Sequence, residues 1–207
     1  MFRRLCFRRT LTALVAAGSV LLFGTQVYAA PAGNTKQVER AEQILWKQIL
    51  PHRLTYIQDG HAGPIIYDFQ DPNCPYCHAL YENELPLIRA GKLTVRYVPV
   101  AILTPESAGE AAAWLLSSHP LATLQNFETV VGPTFHTGNF ALLPHRAVTP
   151  KVHQELQENK KMFLRLGFDG TPALLFLSKD RQLGQMPGYI SSKQLRDLLP
   201  HLAASKG

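Results

Sequence analysis

Cysteine is scarce in this chain, with three in 207 residues, at Cys6, Cys74 and Cys77. The apolar run from Leu11 to Phe23 stops short of the ~18–20 residues a membrane-spanning helix requires. Acid is missing altogether from Met1 to Thr10, where Arg3, Arg4, Arg8 and Arg9 stand. No internal repeat is visible. These absences exclude a good deal. A basic stretch, a short apolar core and the small residues around Val27-Tyr28-Ala29 read as a cleavable secretory signal over residues 1–29, not as a membrane anchor. Without those four arginines, 17 basic residues face 15 acidic ones, so the formal charge of +6 falls to +2. The basic character belongs largely to the leader, and no nucleic-acid partner is expected. Cys6 leaves with the leader too. An exported protein with only Cys74 and Cys77 has no structural disulfide framework, so thiol chemistry has one place to happen.

The chain length suits one domain with a sizeable core and a small appendage. Asn34 to Leu50 predicts an amphipathic helix with Val38, Ala41, Leu45 and Ile49 on its apolar face, ended by Pro51. Leu54 to Gly60 predicts a short edge strand. Ile65-Ile66-Tyr67-Asp68-Phe69 predicts a buried strand between Gly63-Pro64 and Asp71-Pro72. Pro75 suits a first helical turn, and the helix it opens is expected to reach Ala90, with Gly91 past its end. Leu93 to Val100 is the next strand. A helical block follows, with Pro105 to Ser118, Leu121 to Val131 and Pro150 to Leu166 as helices. A loop from Gly132 to Val148 within that block carries Phe135, His136, Phe140 and His145. Ala173 to Ser178 and Gln182 to Met186 predict two strands. Ser191 and Gln194 form a capping box for a last helix to about Ala204. This is an α/β order, βαβ then ββα, with a helical insertion over about 104–167. Residues 30–59 are an N-terminal helix and linker, and 60–205 the catalytic domain.

The decisive run is Asn73-Cys74-Pro75-Tyr76-Cys77-His78. Two thiols at this spacing make a dithiol redox centre. Cys-x-x-Cys-His also spells haem attachment, with His78 as proximal ligand and Met162 or Met186 as distal candidates. Zinc would need four ligands, and only His78 is close in sequence. The redox reading has the firmer physics. At the mouth of a helix, a Cys74 sulfur would face unpaired N–H groups and the positive end of the macrodipole, and both favour a thiolate. Cys77, one turn deeper, is placed to resolve a mixed disulfide on Cys74, while Pro75 and Tyr76 tune the pair. A CxxC beside a βαβ pattern points to a thioredoxin-like fold. His78 is expected on the exposed part of the helix, where it modulates the local field. Asp68 sits in the middle of an apolar strand. If it is buried, its pKa should rise, and it could take the proton of Cys77.

The run Asp71-Pro72-Asn73-Cys74-Pro75-Tyr76-Cys77, the phrase Leu103-Thr104-Pro105-Glu106-Ser107 before an alanine-rich helix, and Gly170-Thr171-Pro172-Ala173 together resemble the periplasmic thiol:disulfide interchange proteins of the DsbC/DsbG group, the DsbG branch above all. The resemblance covers roughly residues 60–202. It implies Cys74 as the attacking and Cys77 as the resolving cysteine, with their disulfide as the redox centre and no other cofactor or metal. It implies that Thr171 and a cis Pro172 lie beside the CxxC and offer backbone to a substrate strand, as Pro75 and Tyr76 do. Thioredoxins proper are similar in having a buried Asp where Asp68 stands. The implied substrates are exported proteins with cysteines. The implied membrane partner is a DsbD-like reductant for an isomerase or reductase, or a DsbB-like oxidant for a disulfide-forming oxidase. The group's N-terminal dimerisation domain has no room before Gly60, so a monomer or a weak dimer through Asn34–Leu50 is expected. A redox-independent chaperone holding chains through Phe135 and Phe140 is the remaining alternative.

Overall fold

The structure, a computed structural model, describes residues 32–204. The expected leader over 1–29, with Cys6, lies outside the described residues. Five strands form one sheet in the order β1-β3-β2-β4-β5: β1 (Ile57–Asp59), β2 (Ile65–Gln70), β3 (Thr94–Pro99), β4 (Ala173–Leu177) and β5 (Leu183–Pro187). β2 and β3 are parallel and joined through helix α3 (Pro75–Arg89), while β2–β4, β4–β5 and β1–β3 pair antiparallel. This is the expected βαβ plus ββα arrangement. Helices α4 (Ser107–Leu115), α5 (Pro120–Thr137) and α6 (Pro150–Arg165) are the insertion, and α7 (Ser192–Leu198) closes the second half behind the Ser191–Gln194 capping box.

β2 is buried on both faces, as a central strand must be. Ile66 joins one core cluster with Leu80, Tyr97, Trp114, Phe127 and Leu174. Tyr67 and Phe69, pointing the other way, join Leu50, Val98, Phe163 and Leu175. Asp68 therefore points to the α3 side, level with Tyr97 on β3 and Leu174 on β4. The β1–β2 connection depends on glycine. Gly60 and Gly63 have φ of 87° and 80°, and a Cβ on them would lie 2.6 and 2.4 Å from the carbonyl oxygens of Leu93 and Lys92.

Three expectations are corrected. The N-terminal helix does not end at Pro51. α1 (Ala32–Ile44) passes through a π-helical stretch, Leu45–Ile49, into α2 (Leu50–Arg53), and the widened turn just before Pro51 accommodates the N–H that proline lacks. The wider turn also shifts the helical phase. Val38 and Ile49 stay exposed, and Leu45, Trp46 and Leu50 pack on the sheet instead. Trp46 meets Tyr67 edge-on at 5.3 Å. The expected loop from Gly132 is helical as far as Thr137, because Val131 and Thr134 remain buried and Gly138 (φ 70°) supplies the left-handed cap. The last α-helix ends at Leu198, where a 3₁₀ turn (Leu199–His201) containing Pro200 takes over. Among the described residues no helix is long and apolar enough to cross a membrane.

Candidate active site

Cys74 is the N-cap of α3, with extended φ/ψ (−97°, 109°), and Pro75 follows as the first helical residue. Its Sγ accepts the Cys77 backbone N–H at 3.2 Å, one of the donors that a helix start leaves unpaired. Both cysteines are free thiols and almost fully buried. From the other half of the fold, the Thr171–Pro172 peptide bond is cis, and the Thr171 carbonyl accepts from Cys74 Sγ at 3.4 Å. That contact favours the protonated thiol. The Thr171 hydroxyl is buried without another partner and is the donor on offer to the thiolate.

These contacts separate the two sulfurs chemically. The Cys77 side chain is the largest cause pulling the Cys74 thiol down, from 9.0 to about 7; burial opposes it, and Thr171 and the backbone N–H groups of Cys77 and Tyr76 assist. Cys77 is pushed well up, by burial first, then by Cys74 and by the charge of Asp68. Asp68 is fully buried, and neither carboxylate oxygen has a hydrogen-bond partner. Burial raises it well above the usual carboxylate range, with the charges of Cys74 and Glu128 adding to the effect.

Asp71, three residues on, is the opposite case. It is buried but saturated, accepting from Asn73 N (2.9 Å), Ser107 Oγ (2.7 Å), Ile102 N (2.5 Å) and Leu103 N (3.0 Å). It ties the CxxC loop to the start of the insertion. Asn73 adds bonds from its amide to Thr104, Ser107 and Glu110. Burial lifts Glu110 to about 7 against that Asn73 bond.

His78 is not on an exposed surface. Its ring is mostly covered, with Nδ1 at 2.7 Å from Glu128 on α5 and Nε2 at 3.7 Å from Glu82. The helical extension of α5 brings Gly132 over the ring and so creates this cover. His78 is raised, the Glu128 hydrogen bond being the main cause. Glu128 is raised by burial and pulled back by His78. The hydrogen bond thus holds His78 up, whereas Glu128 is held up chiefly by its burial.

The structure thus brings Cys74, Cys77, Asp68, Thr171 and Pro172 together. Tyr76 (64% exposed) and Pro75 lie at the surface around them. Beside Pro75 opens a cleft of about 940 Å³, lined among others by Asn73, Phe135, Phe140, Glu110 and Val148. Glu84, Tyr97 and Glu128 escaped the sequence reading. Glu84 was within reach, since it stands seven residues after Cys77 on the apolar face of α3. Glu128 needed the tertiary structure. Among the described residues no group of three or more His, Cys, Asp or Glu is placed to hold a metal ion.

A family model described as "Thioredoxin-like domain" matches residues 51–203. The chain is similar to the thiol:disulfide interchange protein DsbG of Escherichia coli (strain K12), with 32% identity over 180 residues, 86% of this chain and 65% of that protein. It is also similar to the protein of the same name from Pseudomonas aeruginosa, with 29% identity over 157 residues, covering 75% and 58%. It therefore spans less than two thirds of the length of these relatives. Among solved structures, the catalytic domain of Proteus mirabilis ScsC superposes with a TM-score of 0.57 at 21% identity, covering 80% of this chain and 96% of that one. A periplasmic thioredoxin-like protein from Salmonella enterica serovar Typhimurium gives 0.57 at 18%, covering 74% and 95%. At such identities the structural likeness is one of fold.

Proposed function

The chain belongs to the thioredoxin-like domain family, and from that premise we propose that it is a periplasmic thiol:disulfide oxidoreductase working on exported proteins in the isomerase or reductase direction. The observation that carries this reading is the Cys74 sulfur at the first turn of α3, bonded to the Cys77 N–H and held near 7. The Cys74 thiolate attacks one sulfur of a substrate disulfide, and the other sulfur leaves as a thiolate. Cys77 gives its proton to Asp68 and attacks Cys74. The Cys74–Cys77 disulfide forms, and the second substrate sulfur departs. The substrate gains two electrons and the dithiol loses them. In isomerisation a second thiol of the substrate performs the release instead.

A polypeptide substrate would run past Thr171 and over Pro75 and Tyr76, with flanking apolar side chains in the cleft beside Phe135 and Phe140. The burial of Cys77, 1% exposed, supports the dithiol reading over haem attachment, which needs both sulfurs within reach of a porphyrin edge. A Cys74 near 7 favours reduction over oxidation, since thioredoxin sits at ≈ 7 and the strong oxidant DsbA at ≈ 3.5. A membrane reductant of the DsbD kind then keeps the dithiol reduced. The protein acts as a monomer, with exposed Val38, Ile44 and Ile49 as the face for any weak self-association.

Trapping the thiols by rapid alkylation in cells tests the direction. Reduced Cys74 and Cys77 are expected, and a mainly oxidised pair would make the protein a disulfide-forming oxidase. Cys77→Ala is expected to accumulate mixed disulfides on Cys74. An unactivated Cys74 that captures no partner would overturn the proposal.

A further inference from the structure

Behind the two sulfurs, the interface of α3 with the sheet contains polar groups that nothing matches. Both oxygens of Asp68, both of Glu84 and the Tyr97 hydroxyl are buried without a hydrogen-bond partner, and all three side chains are 0% exposed. In native proteins such groups are nearly always matched, by one another or by ordered water. Their placement is specific. Asp68 and Tyr97 are register partners on adjacent parallel strands, so their side chains share the face toward α3. Glu84 lies two turns along α3 from Cys77, on the same buried face as Leu80 and Tyr81. Burial raises Glu84 well above the carboxylate range and the charge of Asp68 adds to that, while the neighbouring Tyr97 hydroxyl pulls the other way.

The other titratable groups facing this set are Cys74, Cys77 and Tyr81 at or on α3, Asp59 on β1, and Glu128 on α5 with its partner His78. Among the described residues named there, the cations are His78, which is bonded to Glu128, and Arg89, which acts on Tyr81. Asp68 therefore has no buried cation to stabilise its anion. If it is to be a base, that support must come from hydrogen-bond donors. Two carboxyls in one dry site do not both ionise; they titrate as a pair that shares a proton.

We propose that Glu84 and Tyr97 are positioning residues that, with Asp68, form a buried proton store in which the Tyr97 hydroxyl orients Glu84 and the proton that Glu84 shares with Asp68 keeps Asp68 anionic and ready for the Cys77 proton. This rests on the dithiol reading above. In the resolving step the Cys77 S–H bond breaks and its proton goes to Asp68. The Cys77 sulfur bonds to Cys74, and the substrate sulfur leaves with the bonding electron pair. The store afterwards returns one proton to solvent, and the departing thiolate takes one up.

The test uses the full chain with Cys6→Ser, reduced and mixed with dithiobis-nitrobenzoate in a stopped-flow instrument between about pH 5 and 9. The first coloured release reports attack by Cys74, and the second reports resolution by Cys77. Glu84→Leu and Tyr97→Phe should each raise the pH midpoint of the second release by about one unit, a roughly tenfold loss of rate at low pH, with the first release unchanged. Glu84→Gln keeps a donor and should hold the wild-type midpoint. Asp68→Asn should give a slow second release with no pH midpoint. If Asp68→Asn is indistinguishable from wild type, the base role in the proposed mechanism fails. If Asp68→Asn behaves as expected while Glu84→Leu and the isosteric Tyr97→Phe keep the wild-type midpoint, the proton store alone is refuted.

Discussion

Replacing Cys77 with alanine removes the largest cause of Cys74 activation and leaves the helix start intact. At pH 7 a thiol held near 7 is about half ionised, and one at the ordinary 9.0 about one part in a hundred. The gain in rate is smaller than that fifty-fold ratio, because nucleophilicity falls with basicity at a Brønsted slope of about 0.4–0.5, leaving roughly a six-fold advantage. A hydrogen bond to a charged group contributes about 1.5–3 kcal/mol, and S–H is a weak donor, so the lower figure applies. That is about one pKa unit. Cys77→Ala should therefore move the Cys74 midpoint from about 7 upward by about one unit, but not the whole way to 9.0, since the Cys77 N–H at 3.2 Å survives. The assay is alkylation rate against pH, read on the Cys74 peptide by mass spectrometry. The midpoint is the quantity to compare, because the rate at pH 7 should change only about two-fold. Cys77→Ser restores an O–H donor and should bring the midpoint back. Identical midpoints for Ala and Ser would refute the side-chain origin of the activation. A lowered folded pKa also stabilises the reduced fold at pH above the unfolded value of 9.0, and this is lost as pH falls through about 7.

Asp68 has the opposite sign. Its folded pKa lies well above the ordinary 3.8, so ionisation favours the unfolded chain once pH exceeds that value. Asp68→Asn should raise Tm at pH 7 relative to wild type and lose that advantage near pH 3; equal gains at both would contradict it. At Gly132 an added Cβ would stand 2.6 Å from His78 Nε2. The clash, about 1–3 kcal/mol, outweighs the ~0.5–1 kcal/mol that alanine gains in a helix, so Gly132→Ala should lower Tm. Leu50→Ala should cost about 2–5 kcal/mol in denaturant unfolding, whereas Val38→Ala should stay within about 0.5 kcal/mol. Similar losses at both would put the N-terminal helix in the wrong phase.

The elements that position the sulfurs were legible in sequence because each carries a local signal. Pro75 opens α3 one residue after Cys74, Thr149 caps α6 with its hydroxyl accepting from Val152 N, and the nearly unbroken apolar and aromatic run of β2 reflects burial on two faces. What escaped was decided by long-range packing. The π-helical stretch at Leu45–Ile49 follows from docking Trp46 on Tyr67, a contact with no signature in the heptad-like spacing of Val38, Ala41 and Leu45. α5 continues through Gly132 and Pro133, which read locally as breakers, because Val131 and Thr134 are buried. The site divides the same way. The motif named Cys74 and Cys77, and Asp68 stood out as an acid among apolar neighbours. His78 looked solvent-facing because its partner Glu128 lies fifty residues further along.

The contact between Thr171 and Cys74 joins residues 97 positions apart. A growing polypeptide that has laid down β2 and α3 but not yet β4 already has the Cys77 N–H on its outer sulfur, but it lacks the Thr171 side chain that helps to lower that thiol. Full reactivity is thus an attribute of the completed molecule.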